Sequence, residues 1–187
     1  MPTPRRQSLA LATLGLGAFT VGTSELVVVG ILDPIATDLG TSISAAGTLV
    51  TAYALGVALG GPLLTALTAR VDRRRMLRLA LAAYAAANLL MAASESFGLL
   101  FASRLGAGAV HGAFIGVASV AAARLAGEGR EGRAISMVFG GVALSTVIGV
   151  PLGTLVGQTL GGDSWPWHRR CPIRSRARTG RASRGRR

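Results

Sequence analysis

Cysteine occurs once in this chain, at Cys171, so there is no intramolecular disulfide and no metal site built from a cysteine cluster. Charge is also scarce. Only 15% of the 187 residues are charged, and half are hydrophobic. A soluble domain of this size would break its apolar runs every few residues, so that class is excluded. Lysine is absent: all 20 basic residues are arginine, and nine of them lie between Arg169 and Arg187. The other 11 face 8 acids, so the net charge of +12 belongs mainly to the C-terminal end. The sequence also has no phosphate loop, no nucleophile–base constellation and no metal-ligand cluster. Enzyme activity and ATP-driven transport by this chain are therefore not expected, and no cofactor or metal is called for.

What the chain does have is five long apolar stretches. They run roughly over residues 9–32, 45–69, 76–93, 97–123 and 134–160. A helix of about 20 apolar residues crosses a bilayer core of ~30 Å. The 26 glycines suit membrane helices whose backbones approach closely. Asp33-Pro34 closes the first stretch, because a proline ring disfavours helix at the preceding residue. Arg5 and Arg6 before an apolar run also resemble a signal peptide, but the run exceeds the usual length and four more follow. The fold expected is an all-α membrane protein with five transmembrane spans over 9–161, a short N-terminus over 1–8 and a basic, disordered tail over 162–187.

The loops fix an orientation. Arginines number two in the N-terminus, none in loop 1–2, five in loop 2–3, none in loop 3–4 and three in loop 4–5. Loops facing the cytoplasm accumulate arginine and lysine. The alternation puts the N-terminus and loops 2–3 and 4–5 in the cytoplasm of a cell (inner or plasma) membrane. By that count span 5 ends outside, where a tail with nine arginines violates the rule the other loops obey. Composition also switches near Gly162, from Ala/Leu/Val/Gly to Arg/Ser/Pro. The preferred explanation is an out-of-frame C-terminus read from GC-rich DNA. The alternative is a genuine disordered basic tail.

Charges inside a span are costly and mark functional candidates. Glu25 in span 1 and Arg104 in span 4 each lie about seven residues from the outer face, roughly 10 Å deep at the rise of an α-helix. Equal depth and opposite charge allow an ion pair, either a static bridge or part of a proton or cation site. His111, two turns deeper on the same face as Arg104, is either a packing residue or a proton relay. Tyr53 in span 2 suits cavity lining or packing. Asn88 and Gln158 are candidates for hydrogen bonds between helices. In span 5, Gly149, Pro151 and Gly153 allow a kink, serving as a packing seam or a rocking element. Arg70, Asp72, Arg73 and Arg74 form a basic loop that sets topology and is also a candidate conformational latch.

Three stretches together resemble the major facilitator superfamily, specifically its drug:proton antiporter group with sugar- and chloramphenicol-efflux-like members. GTSELVVVGILDPIATDLGTSISAAGTLVTAYALGVALGGPLLTALTAR is similar to its spans 1 and 2. SRLGAGAVHGAFIGVASVAA resembles its span 4 motif, and GVALSTVIGVPLGTLVGQ its span 5 antiporter motif. The resemblance covers about Leu9 to Gly161. It implies twelve helices in two halves, each an inverted pair of three-helix repeats, with alternating access to a central cavity. Spans 1 and 4 then occupy equivalent places, so Glu25 and Arg104 face one cavity. Two departures stand out: in loop 2–3 Asp72 is displaced and the usual glycine is absent, and span 6 and the second half are missing.

The reading is transmembrane transport, by a truncated efflux transporter whose intact parent exchanges protons for drugs or sugars and which is not expected to transport alone. The alternative is a non-transporting membrane protein or subunit that associates with other transporter chains. The partners expected are the lipid bilayer and, in the intact parent, protons and a small molecule. A nucleic-acid role for the tail, with Trp165 and Trp167, conflicts with its placement outside the cell. Reading the encoding DNA beyond Gly161 in all three frames checks the tail. Hydrophobic spans continuing in another frame are the expected outcome, and their absence in every frame would overturn the frame-error explanation.

Overall fold

The computed structural model describes residues 4–30, 32–94, 96–152 and 155. The tail over 162–187, Glu95, Gly153, Gln158 and the end of the fifth apolar stretch lie outside the described residues. Among the described residues every regular element is helical. The elements are α1 (Pro4–Gly30), α2 (Leu32–Asp38), α3 (Ile43–Leu55), α4 (Gly61–Leu67), α5 (Arg73–Ala93), α6 (Phe97–Ala126) and α7 (Glu131–Leu144). A π-helical turn, Gly56–Gly60, joins α3 to α4, and a second, Ser145–Gly149, follows α7. They assemble into five helices long and apolar enough to cross a membrane: Arg5–Gly30, Ile43–Leu67, Arg73–Ala93, Phe97–Ala126 and Glu131–Leu152. These are spans 1 to 5 below.

Four spans start earlier than their hydropathy indicates, and capping explains two of these starts. The Ser42 hydroxyl accepts from the Ala45 amide at 3.1 Å, so span 2 begins at Ile43. The Asp72 carboxylate accepts from the Arg75 amide at 3.1 Å, so span 3 begins at Arg73, inside the arginine run. Each such cap stabilises a helix by ~1 kcal/mol, enough to draw polar residues into the first turn. Span 1 likewise runs back through Arg6 and Arg5 to Pro4, into the segment expected to be a free N-terminus. Beyond Gly30 the chain does not stay in loop: the Asp33-Pro34 segment belongs to the short helix α2. Proline is compatible with a first helical turn, where its missing N–H has no partner anyway. Span 4 ends at Gly127, whose φ of +75° suits glycine.

Both π-helical turns have the same cause. In each, an amide bonds five residues back, Gly61 to the Gly56 carbonyl and Val150 to the Ser145 carbonyl. A proline then follows two residues after the turn, Pro62 and Pro151. A proline ring clashes with the carbonyl four residues earlier, and a widened turn there relieves the clash without breaking the helix. Spans 2 and 5 thus carry the same irregularity at matching places.

The packing has the same doubled character. Span 2 lies along span 4, span 5 along span 1, and span 3 covers span 4 from the other side. Glycines set the first two contacts. A Cβ on Gly56 would strike the Leu105 carbonyl, and one on Gly108 the Tyr53 carbonyl. On the other seam, a Cβ on Gly141 would strike the Gly15 carbonyl, and one on Gly149 the Thr23 hydroxyl. Small residues at backbone-contact positions are how membrane helices associate where lipid removes the hydrophobic drive between them.

Gly108→Ala is expected to lower stability by about 1–3 kcal/mol, the usual cost of overpacking, because it meets backbone and not a movable side chain. Gly106→Ala, with nothing within 4 Å of its Cβ, is the control. Thermal unfolding of both variants in detergent checks the seam, and equal stabilities would show that it does not limit the fold.

Candidate functional site

The span 2–span 4 seam delivers Tyr53 onto the face of span 4 that carries Arg104 and His111. The two span 4 residues lie two turns apart, and Tyr53 fills the space between them. Its ring lies under the guanidinium, with the Arg104 Cζ 4.2 Å from the ring centroid. Its hydroxyl is 2.5 Å from His111 Nδ1. Tyr53 and Arg104 are each 1% exposed. The Arg104 Nε, Nη1 and Nη2 atoms are buried without a hydrogen-bond partner among the described residues. The aromatic face of Tyr53 therefore offsets the buried charge.

Span 1 completes the cluster. Glu25 Oε2 lies 3.3 Å from the same His111 Nδ1. Depth matching had allowed an ion pair between Glu25 and Arg104, and this structure pairs Glu25 with His111 instead. The reason is geometric: Tyr53 occupies the face of Arg104, while His111 lies within reach of the carboxylate. Exposure differs across the new pair, 31% for the Glu25 side chain against 8% for that of His111. Glu25 is thus the more exposed member of the pair, and His111 the buried one.

Span 3 supplies a residue that sequence reasoning missed. The Tyr84 hydroxyl is 3.3 Å from that of Tyr53 and donates to the Val21 carbonyl at 3.1 Å. One turn on, Asn88 Nδ2 donates to the Tyr84 carbonyl at 2.8 Å, and Asn88 Oδ1 accepts from Ser24 at 3.1 Å. Asn88 thus makes the interhelical bond expected of it. The available signal for Tyr84 was its spacing of four from Asn88, which puts both polar groups on one face of an apolar helix.

The remaining candidates stay apart from this cluster. Gly149 ends the π-helical turn of span 5 against Thr23, and Pro151 follows it. Arg70, Asp72, Arg73 and Arg74 lie at the end of the bundle shared by the N-terminus and loop 4–5, here called the arginine end. Asp72 spends its carboxylate on the helix cap, and among the described residues no ion pair joins it to an arginine. At the same end Gln7 Nε2 donates to the Leu125 carbonyl, tying the start of span 1 to the last turn of span 4.

A cleft of about 810 Å³ adjoins the cluster. His111 stands at one end, and the walls of spans 2, 4 and 5 carry the cleft toward Ala69 at the arginine end.

Tyr53→Phe keeps the ring beneath Arg104 and deletes the shared hydroxyl, an expected loss of about 1 kcal/mol. Tyr53→Leu also removes the ring face and is expected to cost more, because the guanidinium is left buried without it. Unfolding midpoints in detergent should order as wild type, Phe, then Leu. If the Leu variant matches the Phe variant, the ring contributes nothing to holding Arg104.

The Major Facilitator Superfamily model matches residues 14–168. The chain is 40% identical over 152 residues to the uncharacterized MFS-type transporter YtbD of Bacillus subtilis, covering 81% of this chain and 38% of that protein. It is 38% identical over 151 residues to the inner membrane transport protein YdhP of Escherichia coli, covering 81% of this chain and 39% of that protein. It is also 38% identical over 159 residues to a chloramphenicol resistance protein of Streptomyces lividans, covering 85% of this chain and 41% of that protein. The chain thus spans under half the length of these relatives. It is a multi-pass membrane protein, and it belongs to the Major Facilitator Superfamily.

Proposed function

We propose that these five spans belong to a proton-coupled exporter of small molecules, drugs or sugars, with the Glu25–His111–Tyr53 chain as its proton element. In this reading the arginine end faces the cytoplasm of the cell membrane. The observation that carries it is the meeting of a carboxylate and a phenol on one imidazole nitrogen, 3.3 and 2.5 Å away. That nitrogen holds one hydrogen or none. With Glu25 ionised, Nδ1–H donates to the carboxylate. With Glu25 protonated, Nδ1 accepts, from the carboxyl or from Tyr53. A proton on Glu25 therefore rearranges hydrogen bonds that link spans 1, 2 and 4. Arg104 holds a positive charge beside the Tyr53 ring, and the π-helical turns with Pro62 and Pro151 give spans 2 and 5 matched places to bend.

Rearranging contacts between helices in response to one proton is the requirement for coupling a gradient to alternating access. The resistance named for the Streptomyces lividans relative supports an exported drug as one substrate.

The test uses inverted vesicles with a chimaera in which residues 1–152 replace the matching part of that relative. Glu25→Gln, which cannot take up the proton, is expected to reduce gradient-driven chloramphenicol export by about tenfold or more. Full export by the variant would remove Glu25 from the proton path.

A further inference from the structure

We infer that the cleft beside His111 takes an uncharged, largely apolar molecule that donates one hydrogen bond to the imidazole and leaves when that ring gains a proton. The inference rests on the transport reading above and narrows its substrate class.

The cleft volume of about 810 Å³ suits a drug-sized molecule. Its walls are apolar: Val57 and Pro62 from span 2, Ile115 from span 4, and Phe139 and Val142 from span 5. Two side chains offer polar atoms. Thr65 already donates its hydroxyl proton to the Gly61 carbonyl at 2.8 Å. His111 remains.

A sugar carries a hydroxyl on most of its carbons, and each one buried here without a partner costs ~1–3 kcal/mol. A cation would meet no carboxylate on the cleft walls, and an anion would find Arg104 covered by Tyr53. A neutral apolar molecule meets none of these penalties.

The state of the ring sets the polarity of the one hydrogen bond. His111 lines the cleft, and its contacts with Glu25 and Tyr53 both engage Nδ1, which leaves Nε2 as the ring nitrogen for a ligand. With Glu25 ionised and Nδ1–H donating to it, Nε2 has a lone pair and no hydrogen, and it accepts from an N–H or O–H of the ligand. One added proton reverses this. Placed on Nε2, it makes an imidazolium. If the Nδ1 proton then passes to Glu25, the ring is neutral again with its hydrogen on Nε2. Both outcomes put a donor opposite the ligand's donor and break the bond between them. Ligand and proton thus compete for one nitrogen, which is the relation an exchanger needs.

Other charged and titratable groups bear on the ring. Span 1 brings Glu25, span 2 Tyr53, and span 3 Tyr84, whose ring centroid is 6.5 Å from that of His111. Arg104 lies two turns away on span 4 itself. Span 5 presents Phe139 and Val142, with Glu131 and Arg133 at its arginine end.

The test places a reporter in the wall of the 187-residue chain: Ile115→Cys with Cys171→Ser, reconstituted in lipid nanodiscs. Its reaction with 4,4′-dithiodipyridine, which attacks thiols even at acid pH, is followed with and without each probe. N-Phenyl-1-naphthylamine is neutral and apolar with one N–H. Its N-methyl analogue partitions into lipid similarly but has no donor. Methyl β-D-glucoside and tetraphenylphosphonium represent the sugar and cation classes. The expected result is several-fold protection by N-phenyl-1-naphthylamine at about pH 8 that is lost on acidification to about pH 5. The other three probes should protect little.

Equal protection by the N-methyl analogue would overturn the hydrogen-bond assignment, and protection by glucoside or phosphonium the ligand class. Protection that persists at about pH 5 would overturn release by protonation, and no protection by any probe would overturn the site. None of these arms requires a variant of His111, whose loss could simply unfold the bundle. The export assay on Glu25→Gln decides the transport reading separately, so the two failures are distinguishable.

Discussion

The site depends on how closely spans 2 and 4 approach. Gly56 and Gly108 bring backbone against backbone, and the carbonyl that a Cβ at position 108 would strike belongs to Tyr53. The seam and the site are therefore one structure. If the helices moved apart by the width of a methyl group, the Tyr53 hydroxyl would leave Nδ1 of His111 and its ring would leave Arg104. In a bilayer nothing outside the protein can take over those roles, because lipid tails offer no hydrogen bonds. Glycine at these positions, and not any polar residue, is what permits a buried arginine, an imidazole and a phenol to share one small volume.

The second seam repeats the logic with span 5 on span 1. Gly141 and Gly15 meet as Gly56 and Leu105 do, and each seam includes a π-helical turn completed by a proline. A helix that has already given up its regular bonding at one turn bends there at lower cost than elsewhere. Spans 2 and 5 each lie against a long, uninterrupted neighbour, spans 4 and 1. The bundle thus combines three regular helices, spans 1, 3 and 4, with two interrupted ones. Glu25 and His111 sit on two of the regular helices and Tyr53 on an interrupted one, so in the proposed reading a proton that alters their bonding acts across a contact between a regular helix and an interrupted one.

Arg104 is the costliest residue in this arrangement, with three nitrogens buried and unpartnered among the described residues. Both tyrosines of the chain lie at this site. Tyr53 provides both a face for the guanidinium and a hydroxyl for the imidazole. Tyr84 fixes that hydroxyl from the far side and is itself held by Val21 and Asn88. One residue type solves two problems because its ring is apolar and its tip is not.

Much of this was legible in the sequence. Five spans followed from hydropathy and their arginine asymmetry from a count along the loops, because both are properties of consecutive residues. Glu25, Tyr53, Arg104, His111 and Asn88 stood out because polar groups in apolar runs are costly wherever they end up. Helix starts at Arg73 and Pro4 were displaced because a cap and a first turn tolerate charge that a hydropathy reading excludes. What the sequence could not decide was partnership. Depth along a helix axis allowed Glu25 to meet Arg104, yet the rotation of each helix about its axis gave the carboxylate to His111 and put Tyr53 between. Tyr84 acquires its place only when span 3 packs beside span 4. Those choices depend on interhelical distance and rotation, which the glycine seams and π-helical turns set and which exist only once the helices are packed.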